Sequence, residues 1–164
     1  MLAIDIYDGK VAAVADSASK YMKGLDQTRM QNIIAGAINY TGSNSRISTI
    51  GWCFGGLVSV KTAMAAGTRG VACVTYYGIP DSTQWDFKSL HADVLGLFAS
   101  KDKWINPDLV NHFVLAAKNA KESIEYKSYD ADHAFANPSN PNYNAKAADD
   151  ANKLALAFLI KHVR

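Results

Sequence analysis

Several features that would narrow the function of a protein are scarce in this 164-residue chain. Its apolar runs are far shorter than the about 20 residues that a membrane-spanning helix requires, so no membrane segment is expected. Residues 1–10 lack the basic start followed by an apolar stretch that marks a secretion signal. We therefore expect a soluble cytoplasmic protein that works away from membranes.

The chain also has little excess of one charge over the other and few cysteines that could form a disulfide. The 17 basic residues nearly balance the 15 acidic ones, and no basic cluster carries interleaved aromatic residues. Nucleic acid is therefore not an expected partner. The two cysteines, Cys53 and Cys73, lie in or beside apolar strand-like runs. This placement favours free thiols in a reducing compartment over a disulfide.

What the chain does contain is a regular alternation of apolar strand-like runs with helical patterns. With 49% hydrophobic residues it can bury one sizeable core, which predicts a single domain over residues 1–164. Five strands are predicted at 2–7, 47–52, 70–77, 93–99 and 123–129. Helices are predicted at 11–25, 27–40, 57–64, 107–120 and 145–163. This alternation predicts an α/β fold with a mostly parallel sheet, whose functional loops follow the strand ends.

The most informative stretch is 46–64, where a strand, a tight turn and a helix follow one another. A nucleophile on such a turn needs a strained backbone, and small residues two before and two after it let strand and helix approach. Gly51 and Gly55 occupy those positions around Cys53. The helix amino terminus would favour a thiolate and a developing oxyanion there. The alternative is that Cys53 is an inert, buried cysteine.

Two further polar residues follow later predicted strands. Asp102 lies in the loop after 93–99, and His133 lies in the loop after 123–129. Taken alone, each is well explained as a solvated loop aspartate or a satisfied loop histidine. A nucleophile, an acid and a base in this chain order, however, match the order in α/β-hydrolases. Together they predict a triad of Cys53, His133 and Asp102.

Other polar and aromatic residues near these loops have weaker signals. Asp130, Asp132 and His133 could be metal ligands, but their spacing matches no strong site, so no metal or cofactor is expected. The remaining histidines are predicted at the surface or in packing. Four aromatic residues are predicted either to line a pocket beside the triad or to pack in the core: Tyr77, Trp85, Trp104 and Phe135.

These motifs, together with the opening Ile-Asp-Ile-Tyr-Asp-Gly-Lys at 4–10, resemble the dienelactone hydrolases over essentially the whole chain. The resemblance implies an α/β-hydrolase fold and hydrolysis of small esters or lactones. Cys53 would attack the carbonyl as a thiolate, His133 would take and return the proton, and Asp102 would hold the imidazole in its tautomer. The backbone N–H of Phe54 would be one oxyanion donor.

The chain departs from this family in two respects. Family members carry a further amino-terminal segment with their first strands, so the chain is expected to be a truncated α/β-hydrolase whose residues 2–7 align with the family's fourth strand. That segment supplies the second oxyanion N–H and a glutamate that contacts the resting nucleophile. Asn137 stands where the best-known members have an arginine for the substrate carboxylate. Lys10 is the expected substitute, with Trp104 and Phe135 lining the substrate site.

The truncation also predicts association between copies of the chain. In the family's strand order, the missing segment leaves a gap beside 47–52. Residues 2–7 would either close this gap as the fifth strand or pair with another subunit instead. Either arrangement exposes a sheet edge and an apolar face, so a homo-oligomer is expected. Two other hypotheses stay open: a non-catalytic oligomeric remnant with an incomplete oxyanion hole, and a redox-sensing thiol at Cys53.

Overall fold

The computed structural model describes residues 1–163, which divide into two compact units, one of residues 1–45 and one that begins at Arg46. The first unit contains α1 (Ala15–Lys23) and α2 (Gln27–Tyr40). The side chain of Asp26 accepts a hydrogen bond from the Arg29 backbone N–H at 3.1 Å and so begins α2. The second helix therefore starts and ends where the sequence predicts it.

The predicted strand at 2–7 is wrong. The Asp5 carboxylate accepts hydrogen bonds from the backbone N–H groups of Tyr7, at 2.8 Å, and Gly9, at 2.5 Å. These bonds form a local turn and use donors that a strand would offer to a neighbour. Residues 2–7 form no strand. Among the described residues, the sheet has four strands rather than the predicted five.

The second unit is a parallel sheet flanked by helices, as the alternating pattern predicts. Its strands are β1 (Ile47–Trp52), β2 (Gly70–Tyr76), β3 (Asp93–Ala99) and β4 (Ile124–Tyr129), in the spatial order β1-β2-β3-β4. Its helices are α3 (Phe54–Ala66), α4 (Pro107–Asn119) and α5 (Ala145–Val163). Trp52 pairs with Tyr76, and Tyr76 pairs with Leu97. The carboxyl ends of the strands consequently meet at one edge.

Apolar side chains cover both faces of this sheet. One buried cluster joins α3 and α4 to the sheet through residues that include Val60, Phe98 and Phe113. The other joins α5 to the opposite face through residues that include Tyr76 and Phe158. The central strands β2 and β3 are buried along nearly their whole length, which agrees with their continuous apolar sequences. Within residues 1–163, no helix is long and apolar enough to cross a membrane.

Candidate active site

Cys53 lies on a strained turn between β1 and α3. Its φ of 54° is in the left-handed region that side-chain-bearing residues rarely adopt. The backbone holds this angle, because the Cys53 N–H donates to the Tyr76 carbonyl at 2.9 Å and its own carbonyl accepts from Gly56 at 2.9 Å. A Cβ atom at Gly51 would collide with the Gly55 carbonyl oxygen. The turn therefore requires glycine at position 51.

The structure brings the three predicted triad side chains together. His133 Nε2 lies 3.0 Å from Cys53 Sγ, although 80 positions separate the two residues in the chain. His133 Nδ1 lies 2.6 Å from Asp102 Oδ2. The imidazole thus bridges a sulfur and a carboxylate through its two nitrogens.

Asp102 is buried, and both oxygens of its carboxylate accept hydrogen bonds. Besides the bond to His133, its Oδ1 accepts the backbone N–H groups of Trp104, at 2.8 Å, and Ile105, at 3.0 Å. Burial alone would raise the pKa of Asp102, but the hydrogen bonds from His133 and from these two N–H groups lower it below the ordinary value. The carboxylate is therefore ionised and fixed in orientation.

Aromatic rings flank the imidazole of His133, and one amide holds its backbone. The rings of Tyr77 and Trp104 each lie with their centroids 5.0 Å from that of His133, in edge-on arrangements. The Asn142 amide donates to the His133 carbonyl at 3.1 Å. Asn142 has no motif or spacing that could identify it from the sequence, because its contact depends on how the loop after β4 folds back.

The pair of Cys53 and His133 favours the charged forms of both groups. Burial lowers the pKa of His133, but its bonds to Asp102 and Cys53 outweigh this effect and raise it to about 9. Burial likewise opposes ionisation of Cys53, yet the bond and charge of His133 and the N–H of Phe54 lower the pKa of the thiol. Both shifts act toward a thiolate beside an imidazolium, and Cys53 is exposed to solvent.

Phe54 begins α3, and its backbone N–H donates to the Cys53 sulfur. It is one of the N–H groups of the first helical turn, which have no partner within their own helix. This N–H therefore lies directly beside the sulfur, and its role as an oxyanion donor stays a prediction.

The other predicted site residues lie in different settings. Trp104 is 73% exposed beside His133, whereas Phe135 is fully buried between Tyr77 and Tyr129 and packs in the core. Lys10 is an exposed residue of the first unit, and its substrate-binding role stays a prediction. Trp85 also packs in the core, with its ring centroid 5.4 Å from that of Phe113.

The carboxylates considered as metal ligands do not gather around His133. Asp130 forms an ion pair with Lys101 at 2.8 Å. In the part of the chain that the structure describes, no three His, Cys, Asp or Glu side chains lie close enough to hold a metal ion. His162 pairs instead with Asp93, the first residue of β3, at 2.8 Å.

A cleft of about 370 Å³ opens beside the sulfur. It is lined by Trp52, Cys53, Tyr77, Ala134, Ala136, Asn137 and Pro138. Trp52 stacks on Tyr76 with ring centroids 5.2 Å apart and remains 45% exposed. The sequence pattern does not single out Trp52 as a site residue, although it directly precedes Cys53.

Comparisons with known proteins agree with this fold and with the sequence resemblance. The model of the dienelactone hydrolase family matches residues 1–163. A protein named usf from Aquifex pyrophilus is 28% identical, over 97% of this chain and 73% of its own. Carboxymethylenebutenolidase 1 from Cupriavidus pinatubonensis is 24% identical, over 93% and 66% respectively.

Solved structures show the same architecture. A dienelactone hydrolase-like promiscuous phosphotriesterase from metagenomic libraries matches with a TM-score of 0.71 and 19% identity. The match covers 93% of this chain and 68% of that one. At this level of identity the likeness concerns the fold alone.

Proposed function

Because this chain belongs to the dienelactone hydrolase family, we propose that it hydrolyses small esters or lactones, with Cys53 as nucleophile, His133 as proton carrier and Asp102 as the group that orients the imidazole. The observation that carries the proposal is the 3.0 Å contact between Cys53 Sγ and His133 Nε2, continued to Asp102 at 2.6 Å. Relatives named carboxymethylenebutenolidase support a substrate of the lactone class.

In the proposed first step, the Cys53 thiolate attacks the carbonyl carbon and a C–S bond forms. The electron pair of the carbonyl moves to oxygen, where the Phe54 N–H donates to it. When the C–O bond to the leaving group breaks, imidazolium His133 gives its Nε2 proton to the departing alkoxide. The alcohol leaves, and Cys53 carries the acyl group as a thioester.

The second step returns the enzyme to its first state. His133, now neutral, takes a proton from a water molecule as that water attacks the thioester carbon. The C–S bond breaks, and the acid product and the Cys53 thiolate are released. Asp102 stays ionised throughout and stabilises the imidazolium each time that it forms.

The experiment that tests this proposal compares hydrolysis of 4-nitrophenyl acetate by the wild type, Cys53→Ala and His133→Ala. We expect both variants to lose the activity, because one removes the nucleophile and the other its proton carrier. Cys73→Ala is the matched control, since that thiol is fully buried beside Ser59 and belongs to the core. Equal rates in all four proteins would contradict the proposal and favour a non-catalytic remnant of the fold.

A further inference from the structure

We propose that the cleft beside Cys53 selects esters whose acyl group is aromatic and uncharged, with Trp52 and Asn137 as the residues that determine this specificity. The inference rests on the proposed hydrolase function and adds the class of substrate. An acyl group attached to Cys53 would extend along the cleft walls, because the sulfur is itself part of the lining.

The walls of the cleft offer apolar surface and a single amide. Trp52 supplies the exposed aromatic surface, whereas Tyr77 lines the cleft but is almost completely buried. Ala134 and Ala136 are small and leave space in the cleft. Asn137 contributes the amide, which is neutral. Its Oδ1 accepts the Ser139 backbone N–H at 3.0 Å, and its NH2 group can donate to a substrate. Of the described residues that line the cleft, none is Asp, Glu, Lys or Arg.

Charge at the catalytic centre adds to this preference. With Cys53 and Asp102 ionised and His133 protonated, the three groups sum to one negative charge. A carboxylate on the acyl group would meet this charge and find no cation in the cleft walls. Lys101, the neighbour of Asp102 in the chain, pairs with Asp130 and lines a different cleft. Two negative charges repel each other, whereas a neutral group meets no such penalty.

Trp52 supplies a fixed surface for an aromatic group. Its ring stacks on Tyr76, whose hydroxyl donates to Asn152 on α5 at 2.9 Å. This support holds the indole at the end of β1, one residue before the nucleophile. Aromatic rings attract one another in stacked or edge-on arrangements, beyond the apolar area that they bury. A phenylacetyl group is therefore a suitable probe of the cleft.

The test uses three 4-nitrophenyl esters: acetate, (4-carbamoylphenyl)acetate and (4-carboxyphenyl)acetate. The last two differ only in that one carries an amide where the other carries a carboxylate of nearly equal size. We expect the wild type to hydrolyse the carbamoyl ester with a kcat/KM about tenfold or more above that of the carboxyl ester, the ratio that a difference of about 1.4 kcal/mol produces. Equal values, or a preference for the carboxyl ester, would overturn the inference.

Substitutions at Asn137 and Trp52 test whether these two residues determine the preference for neutral aromatic acyl groups. Asn137→Arg should reduce or reverse the carbamoyl-to-carboxyl ratio by supplying the missing cation, while Asn137→Gln should keep the ratio. Trp52→Ala should reduce the ratio of carbamoyl ester to acetate, and Trp52→Phe should restore much of it. Ratios that do not change in Asn137→Arg and Trp52→Ala would also overturn the assignment.

The same experiment separates this inference from the function on which it rests. Hydrolysis that depends on Cys53 but does not discriminate between the esters overturns only the specificity. Failure to hydrolyse any of the three esters overturns the hydrolase function, and the specificity with it. A preference for the carboxyl ester that Lys10→Ala abolishes would contradict the proposed preference for neutral groups. It would assign carboxylate binding to Lys10.

Discussion

At the scale of single residues, the two cysteines show how surroundings decide reactivity. Cys73 is fully buried in β2, 3.5 Å from the Ser59 hydroxyl, and burial raises the pKa of its thiol. Cys53 is exposed at a helix amino terminus and contacts His133, which lowers the pKa of its thiol. Of the two thiols, Cys53 alone is both exposed and shifted toward the thiolate.

The protonation states predict how activity depends on pH. With an ethyl ester, kcat/KM should rise with pH as the Cys53 thiolate forms, at a pH below the thiol's ordinary pKa. It should fall again as pH passes through about 9, because His133 then loses the proton that the ethoxide needs. The measurement is a pH profile of kcat/KM.

The 4-nitrophenyl ester of the same acid serves as the control for this profile. Nitrophenolate leaves without a proton, so its kcat/KM should show the acid limb but not the fall near pH 9. The same fall for both esters would contradict the role of His133 as the acid.

The contacts of Asp102 predict the effect of removing its charge. Asp102→Asn keeps an oxygen for the N–H groups of Trp104 and Ile105 but removes the charge that stabilises imidazolium His133. We expect hydrolysis of the ethyl ester to fall on the order of 10²- to 10⁴-fold with little change in folding.

Asp93→Asn offers a matched control. It alters a second histidine–aspartate contact, that of His162 at 2.8 Å, which lies at the opposite end of β3 from Asp102. Its activity should stay near that of the wild type. Equal losses in both variants would indicate a general effect on stability rather than a role in the triad.

The meeting of the three predicted side chains could be expected from chain order, while their catalytic roles stay a prediction. Cys53, Asp102 and His133 each follow a different strand, and parallel strands present their carboxyl ends at one edge. The supporting contacts could not be predicted in this way. Asn142 and the stacking of Trp52 on Tyr76 depend on loop conformation and side-chain packing, which leave no spacing in the sequence.

At the scale of elements, the two glycines that flank Cys53 in the turn between β1 and α3 have different surroundings. Gly51 and Gly55 occupy equivalent positions on either side of Cys53, and the sequence predicts that both allow close approach. A Cβ at Gly51 would collide with backbone, whereas one at Gly55 would meet nothing within 4 Å. Gly51 therefore accommodates the helix, while Gly55 has room for a side chain.

This asymmetry predicts opposite effects on stability. Gly51→Ala should lower the free energy of unfolding by about 1–3 kcal/mol or more, as overpacking does. Gly55→Ala, in the first turn of α3, should leave it unchanged or raise it by up to about 1 kcal/mol, as expected for alanine in a helix. Urea denaturation followed by circular dichroism measures both, and equal losses would contradict the close approach of Gly51 to Gly55.

The failed strand at 2–7 illustrates a limit of pattern analysis at this scale. Its short apolar run, interrupted by Asp5, is typical of a strand, and Asp8-Gly9 correctly predicts a turn after it. The pattern does not show that the Asp5 side chain binds the N–H groups of Tyr7 and Gly9. This local competition for backbone donors is decided by conformation rather than by periodicity.

At the scale of the whole molecule, the two edges of the sheet differ in their protection. The outer strand β4 carries Glu125 and Lys127, charges of the kind that prevent edge pairing. The outer strand β1 carries no charge and exposes Ile50 and Trp52. We therefore expect association between copies to involve β1 rather than β4.

We expect the protein to form a homo-oligomer through β1. Light scattering after size-exclusion chromatography should give a multiple of the chain mass, and Ile50→Lys should shift it toward the monomer. Tyr126→Lys on β4 is the control and should leave the mass unchanged. A monomer at every concentration of the wild type would contradict this prediction.

The most direct test of the account is to identify the atom that carries the acyl group. The protein is mixed with excess 4-nitrophenyl phenylacetate, quenched with acid during the first turnover, digested and analysed by mass spectrometry. We expect a phenylacetyl thioester on Cys53, its absence from the Cys53→Ala protein and an unmodified Cys73. Release of nitrophenolate without acylation of Cys53, or acylation of another residue in its place, would contradict it.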